Sequence, residues 1–227
     1  MTLNFNQFLT VIQYRVPIFV FKRKAVTNTI KDLIIWDSFR EGNSKALELI
    51  YEENYSPLFY YALKFTKDQY LIKDLIQELF VELINSGEKL SRTDNIRVYL
   101  LKALRNKIRA QSARTAKRQS RLAGYAEFDL LDSVEARIIK KETDETIQNR
   151  ITSAIKQLSP KQQEVIYLRF YHDMPFTEIA ALFEVNIQTV RNLLTRAITQ
   201  LKEYLGKTQI ILFLLNLRNP ECLSNKH

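Results

Sequence analysis

The stretch that decides the fold reads Phe176-Thr-Glu-Ile-Ala-Ala-Leu-Phe-Glu-Val-Asn-Ile-Gln-Thr-Val-Arg-Asn-Leu-Leu-Thr195. Its apolar residues recur at helical spacing on two short segments separated by a tight turn. Ala180 is small enough to let two helices cross closely, and Asn186 can cap the second helix. The apolar positions are Ile179, Ala180 and Phe183 on the first helix, Val185 in the turn, and Val190, Leu194, Ala197 and Leu201 on the second. The stretch therefore predicts a helix-turn-helix.

The outward side of the second predicted helix carries hydrogen-bond donors and acceptors of the kind that read base edges in a major groove. These residues are Gln188, Thr189, Arg191, Asn192, Thr195 and Arg196. Taken alone, the pattern also fits an ordinary helical hairpin with a polar surface. A second signal elsewhere in the chain favours DNA binding.

That signal is the location of the positive charge. The chain of 227 residues has a formal net charge of +9, and the stretch 88–121 alone contains 11 basic and 2 acidic residues. An even solubilising surface would not concentrate charge in this way, so the stretch predicts contact with a polyanion. On a helix, its apolar side would carry Leu100, Leu101, Leu104 and Ile108, and its basic side Lys102, Arg105 and Arg109. A solvated basic face and a juxtamembrane patch are the alternatives.

Composition predicts an all-α protein. Only 4 Gly and 5 Pro interrupt a chain rich in helix-forming residues, and no sustained period-two alternation is present. A single cysteine, Cys222, excludes an internal disulfide and a cysteine-rich zinc site, and 2 histidines leave little for metal binding. We therefore expect no cofactor and no metal, and cytoplasmic localisation.

Neither apolar run near the chain ends predicts membrane insertion. The run 210–215 is far shorter than the roughly 20 residues that span a bilayer. The run 14–21 precedes its basic residues instead of following them, and it has no small-residue cleavage site. We expect neither a transmembrane segment nor a signal peptide.

The order of elements predicts two small helical domains joined by a flexible linker. The first domain, 31–118, would follow an N-terminal extension, 1–30, and contain helices at 31–39, 44–55, 57–65, 70–84 and 95–118. The linker, 119–141, would let the halves move semi-independently. The second domain, 142–205, would contain helices at 147–158 and 160–171 before the helix-turn-helix, with Ser159 and Gln162 forming a capping box. Residues 206–227 would form an apolar tail.

The predicted helix at 70–84 has one polar and mainly acidic side, which comprises Asp74, Gln77, Glu78 and Glu82. Periodicity alone fits a solvent-facing surface, and a partner-binding surface is the competing interpretation.

Three separated passages read Asp74-Leu-Ile-Gln-Glu-Leu-Phe80, Asn95-Ile-Arg-Val-Tyr-Leu-Leu-Lys-Ala-Leu-Arg-Asn106 and Ile155-Lys-Gln-Leu-Ser-Pro-Lys-Gln-Gln-Glu-Val-Ile-Tyr-Leu-Arg-Phe170. In order and spacing they resemble the extracytoplasmic-function (ECF) sigma factors of the sigma-70 family. Those proteins are two-domain subunits that give bacterial RNA polymerase its promoter specificity. The resemblance covers about residues 31–205.

The resemblance implies a role for each passage. The first would bind the clamp helices of the largest polymerase subunit through Asp74, Gln77, Glu78 and Phe80. The second would melt and read the minus-ten element, with the loop 85–95 helping to hold unstacked bases. Its candidate residues are Asn95, Arg97, Tyr99, Lys102, Arg105, Asn106 and Arg109.

For the helix-turn-helix, the resemblance implies reading of the minus-thirty-five duplex by Gln188, Thr189, Arg191, Asn192, Thr195 and Arg196, close to the polymerase flap. Three residues depart from the family pattern. Glu184 replaces the usual turn glycine and is expected to need a positive φ. Leu193 replaces a basic residue, and Pro175 replaces a capping serine.

The implied function is a non-enzymatic initiation factor that binds core RNA polymerase and promoter DNA, with an anti-sigma factor as a further partner. The tail would cap the second domain or dock that anti-sigma factor. The alternative is a stand-alone helix-turn-helix regulator, which would normally dimerise on a palindrome. A nucleic-acid-processing enzyme lacks support because no metal-ligand cluster or phosphate-binding glycine loop is evident. A helical scaffold would show no two-element sequence preference.

Overall fold

The computed structural model describes residues 18–118, 128–130 and 145–218. Within those ranges every regular element is helical, which confirms the all-α class. The first bundle comprises α1 (Ile18–Arg40), α2 (Ser44–Ala62), α3 (Gln69–Ser86) and α4 (Ile96–Arg118). The second comprises α5 (Glu145–Lys156), α6 (Pro160–Ile166), α7 (Phe176–Phe183) and α8 (Ile187–Arg218).

The first bundle closes around large side chains contributed by all four of its helices. The most deeply buried include Trp36, Ile50, Leu58, Ile76 and Leu100. The apolar side predicted for α4 is buried in this core. Its basic side is thereby turned away from the bundle interior.

The two helices predicted at 44–55 and 57–65 are wrong, because α2 runs unbroken from Ser44 to Ala62 and contains Pro57. A proline inside a helix removes one backbone N–H and normally breaks the hydrogen-bond ladder. Here Asn54 and Leu58 are buried on either side of it, and Asn54 Nδ2 donates to the Ile50 carbonyl over 2.8 Å. Packing of this face offsets the missing hydrogen bond.

The helix-turn-helix forms as predicted. Glu184 has φ 58° and ψ 43°, the left-handed conformation expected where it replaces glycine. The Asn186 side chain accepts the backbone N–H of Thr189 over 2.7 Å and so caps α8. Pro175, which precedes α7, makes no side-chain cap hydrogen bond. The turn is thus held by the backbone and by Asn186.

The predicted capping box at the start of α6 is confirmed: Ser159 accepts the N–H of Gln162, and the Gln162 side chain accepts that of Ser159. The α-helix then ends at Ile166, earlier than predicted, and continues as a π-helical turn over Tyr167–Tyr171. Tyr167 is fully buried in this turn. The turn therefore joins α6 to the core of the second bundle.

The two bundles share an interface, chiefly between α4 and α7. Residues 128–130, inside the predicted linker, lie between them. The Asp129 N–H donates to the Lys64 carbonyl of the first bundle over 2.7 Å. The Leu130 N–H donates to Gln163 Oε1 of the second over 2.9 Å. The structure therefore differs from the semi-independent halves predicted; the other linker residues lie outside the described ranges.

The first and last helices extend beyond the predicted domain boundaries. α1 begins at Ile18, inside the expected N-terminal extension. α8 bends at Gly206, where φ is 76°, and its backbone continues to Arg218. The structure does not describe residues 1–17, residues 219–227 or the side chains of 207–218, so the predicted role of the tail lies outside it. No described helix is long and apolar enough to cross a bilayer.

Candidate nucleic-acid interface

The first turns of α8 present the predicted duplex-reading side chains at the surface. Gln188, Arg191, Asn192, Thr195 and Arg196 are exposed, and Thr189 is half-buried. The Thr189 hydroxyl donates to the capping oxygen of Asn186 over 2.8 Å. The Arg191 guanidinium lies 5.7 Å from the ring centre of Phe176 on α7. A polar helix face with two arginines is thus open to a groove.

The predicted minus-ten residues of α4 fall into an open and a covered group. Arg97, Asn106 and Arg109 are exposed. Tyr99 is half-buried, with its ring centre 4.8 Å from that of Trp36, and burial raises the pKa of its phenol. In the other group Asn95 and Lys102 are half-buried and Arg105 is buried, and each meets a carboxylate of the second bundle.

Arg105 was expected on an open basic face, but its side chain is only 5% exposed. Its Nε and Nη2 donate to the two carboxylate oxygens of Glu164 on α6 over 2.9 and 3.0 Å. The Tyr61 hydroxyl donates to the same carboxylate over 2.6 Å. Burial alone would lower the pKa of the guanidinium, yet the Glu164 carboxylate raises it. Arg105 is therefore a buried cation in this conformation, and the expectation of an open contact is wrong for it.

Two further carboxylates approach α4 from the helix-turn-helix. Lys102 Nζ lies 2.9 Å from Glu184 Oε1, and this contact lowers the pKa of the Glu184 carboxyl. Glu178 on α7 accepts a hydrogen bond from the Asn95 side chain. Asn95 also caps α4, since its Oδ1 accepts the N–H of Val98 over 3.0 Å. The start and the middle of the basic surface thus touch the second bundle.

The loop 85–95 is anchored on α1. The Trp36 indole N–H donates to the Ser91 carbonyl over 2.9 Å, and Arg40 donates to the Glu88 carbonyl over 3.0 Å. Arg92 forms an ion pair with Asp37, which lowers the pKa of that carboxyl. These contacts position the loop beside the start of α4.

Three of the four residues predicted to bind polymerase lie exposed on α3, and the fourth is buried. Asp74, Gln77 and Glu78 are exposed. Phe80 is only 6% exposed and packs edge-on against Tyr51 with ring centres 4.9 Å apart. Its side chain lies in the bundle core, so we correct the expectation that it contributes surface.

Sequence reasoning missed the residues of the second bundle that cover α4. Glu164 lies 59 positions from Arg105, and no periodic pattern links two residues at such a distance. Glu184 was singled out for its backbone conformation alone. Among the described residues, no group of three or more His, Cys, Asp or Glu could hold a metal ion.

Two family models match this arrangement in chain order. Sigma-70 region 2 matches residues 50–118, and sigma-70 region 4 matches residues 148–201. Together they cover more than half of the chain, and they fall on the basic helix and the helix-turn-helix respectively. The chain belongs to the sigma-70 family.

Two curated relatives specify the type of sigma factor. The chain is 21% identical over 163 residues to the ECF RNA polymerase sigma factor SigX of Bacillus subtilis (strain 168), covering 71% of this chain and 84% of that protein. It is 24% identical over 170 residues to the RNA polymerase sigma factor YlaC of the same strain, covering 72% of this chain and 94% of that protein. This sigma factor is of the ECF type. As an alternative sigma factor it directs transcription initiation, which involves core RNA polymerase and promoter DNA.

Proposed function

We propose that this non-enzymatic, cytoplasmic sigma factor reads a two-part promoter with one bundle for each element. The second bundle, 142–205, reads the minus-thirty-five duplex through α8. The observation that carries this assignment is the capped, exposed face of α8 behind a tight turn, with Arg191 and Arg196 both at the surface. Arginine is the side chain that most often contacts guanine in a major groove.

The first bundle, 31–118, melts and reads the minus-ten element with α4 and the loop 85–95. Arg97, Asn106 and Arg109 form its open part, and Tyr99 offers a ring on which an unstacked base can lie. Asn95, Lys102 and Arg105 complete the surface once the second bundle moves away. Base extrusion costs a few kcal/mol per nucleotide, which stacking and phosphate contacts offset.

The polymerase contact lies on α3, through Asp74, Gln77 and Glu78 against the clamp helices, while the second bundle lies near the flap. Three exposed polar side chains on one helix face support this proposal. An anti-sigma factor is the further partner we propose. A stand-alone regulator would not need this surface or a melting helix.

Transcription in vitro with core RNA polymerase tests the proposal. The purified chain should support initiation from promoters at start sites mapped after its overexpression, and core polymerase alone should not. Replacing either promoter element by a scrambled sequence should reduce the transcript. A folded chain that fails to support initiation from every mapped promoter would overturn the proposal.

A further inference from the structure

Part of the surface that we propose reads the minus-ten element is occupied by the protein's own second bundle, while Arg97, Asn106 and Arg109 stay exposed. Glu164, Glu178 and Glu184 lie against Arg105, Asn95 and Lys102 respectively. A carboxylate beside an arginine or a lysine offers the same charge and hydrogen-bond acceptors as a DNA phosphate. The second bundle thus takes up side chains that DNA would otherwise contact.

The central pair exists only while the bundles are closed. The Arg105 and Glu164 side chains are 5% and 3% exposed, although one belongs to α4 and the other to α6. Separating the bundles returns both charges to water. Removing one partner from a closed pair leaves the other charge buried and uncompensated, which is strongly unfavourable. Replacing the Glu164 carboxylate should therefore favour separation of the two bundles.

An aromatic seam closes the interface beside this pair. Phe128 is 3% exposed, and its ring centre lies 6.2 Å from Tyr61, 5.3 Å from Phe65 and 5.4 Å from Tyr167. Tyr61 and Phe65 belong to the first bundle, and Tyr167 to the second. The Phe183 ring of α7 also lies 4.7 Å from the Arg105 guanidinium. Apolar contact on both sides shields the ion pair from water.

Closure does not cover the other proposed binding surfaces. The α8 side chains Gln188, Arg191 and Arg196 are exposed, as are Asp74 and Gln77 on α3. The closed molecule can therefore bind a duplex and a polymerase while part of its minus-ten surface is occupied.

We infer that the free protein adopts a closed state in which Glu164, Glu178 and Glu184 occupy Arg105, Asn95 and Lys102 of the minus-ten surface and leave the minus-thirty-five helix open. This inference rests on the proposed function of α4. When the bundles separate, promoter DNA replaces the three carboxylates as the partner of these α4 side chains. Binding of the single strand therefore requires separation of the bundles. Affinity for single-stranded DNA is lowered by the small fraction of open molecules.

The test compares the full-length chain with Glu164→Gln, Glu184→Asn and the matched control Glu48→Gln, which neutralises an exposed carboxylate on α2. Asparagine tolerates the left-handed conformation of position 184, so this variant tests opening if Glu164→Gln fails to fold. Small-angle scattering reports compactness, and anisotropy reports binding of a labelled minus-ten single strand. Both interface variants should expand the molecule, and Glu164→Gln should bind the strand at least about tenfold more tightly.

Unchanged compactness and strand affinity in folded variants, with normal transcription by the parent chain, would overturn closure and leave the proposed function standing. Failure of the parent chain to support initiation with core polymerase would instead overturn the proposed function. A mass that doubles with concentration and falls in Glu164→Gln would show that the interface joins two copies, which would also overturn the intramolecular closure. Binding of a minus-thirty-five duplex should be equal in the parent chain, Glu164→Gln and Glu48→Gln, none of which changes the helix-turn-helix.

Discussion

At the scale of single residues, Arg191 should carry much of the minus-thirty-five discrimination. Its guanidinium is exposed on α8 and lies against the Phe176 ring, which limits the entropy lost on binding. We expect Arg191→Ala to reduce discrimination between a specific and a scrambled duplex by about 1–3 kcal/mol. Anisotropy titrations at fixed salt measure this difference, and Lys156→Ala, an exposed position on α5, is the charge-matched control. Equal losses on both duplexes would indicate a phosphate contact instead.

Asp74 should affect polymerase binding without affecting DNA. Its carboxylate is exposed on α3 of the first bundle, whereas the duplex-reading α8 belongs to the second bundle. We expect Asp74→Ala to weaken capture of core polymerase while binding of a minus-thirty-five duplex stays unchanged. Competition against the parent chain for limiting core polymerase measures the first effect, with Glu48→Ala as the control. A parallel loss of duplex binding would contradict the separation of the two surfaces.

Residue-scale expectations succeeded where the cause is local. The positive φ of Glu184 and the cap at Asn186 follow from the geometry of a tight turn, whichever bundle lies nearby. Arg105 was misjudged because helical spacing locates a side chain on its own helix and says nothing of what packs there. Phe80 was assigned to the surface by the family resemblance, although it follows the buried Ile76 by one helical turn. Arg105 lies next to the apolar side of α4, where a second bundle can cover it.

At the scale of elements, α2 retains a proline that helix propensity disfavours. Pro57→Ala restores a backbone hydrogen-bond donor within the helix, although it also increases the conformational entropy of the unfolded chain. We expect the free energy of unfolding to rise by about 1–2 kcal/mol, since proline costs roughly 3 kcal/mol in a helix interior. Urea denaturation followed by circular dichroism measures the change. The neighbouring exposed position supplies the control, Ser56→Ala, which should alter stability by less than about 0.5 kcal/mol. A destabilised Pro57→Ala would mean that the ring itself supports the bundle.

The same helix shows why element boundaries were only partly predictable. The caps at Ser159 and Asn186 mark helix starts by their own hydrogen bonds. Pro57 predicted a helix boundary, yet the helix continues past it, because Asn54 and Leu58 on either side are buried in the bundle. Tertiary packing decided that boundary.

At the scale of the whole molecule, closure should depend on pH through Glu178. Burial raises the pKa of its carboxyl, and the charges of Asp32 and Asp94 raise it further, whereas Asn95 and Arg97 lower it. Burial also raises the pKa of Asp32, and both carboxylates border a cavity of about 370 Å³ between the bundles. The other charged or titratable groups lining this cavity are Lys31, Glu53, His172 and Asp173.

The sign follows from the direction of the Glu178 shift. A carboxyl whose pKa is higher in the closed state favours closure at low pH, and this contribution is lost as pH rises through the raised pKa. The parent chain should therefore become more compact as pH falls from neutral towards the ordinary carboxyl range. Glu178→Gln keeps a neutral polar side chain there, so its compactness should change less over the same window. Small-angle scattering across pH measures both, and identical profiles would show that Glu178 does not contribute.

The amino-acid sequence by itself determined the helical class, the helix-turn-helix, its caps and the family of this protein. These features depend on spacings within a few helical turns, where backbone geometry relates each residue to its neighbours. Only the tertiary structure decided that the bundles face each other, that Arg105 meets Glu164, and that residues 128–130 lie between them. Those contacts join side chains far apart along the chain, and their free energy depends on burial that no local pattern records.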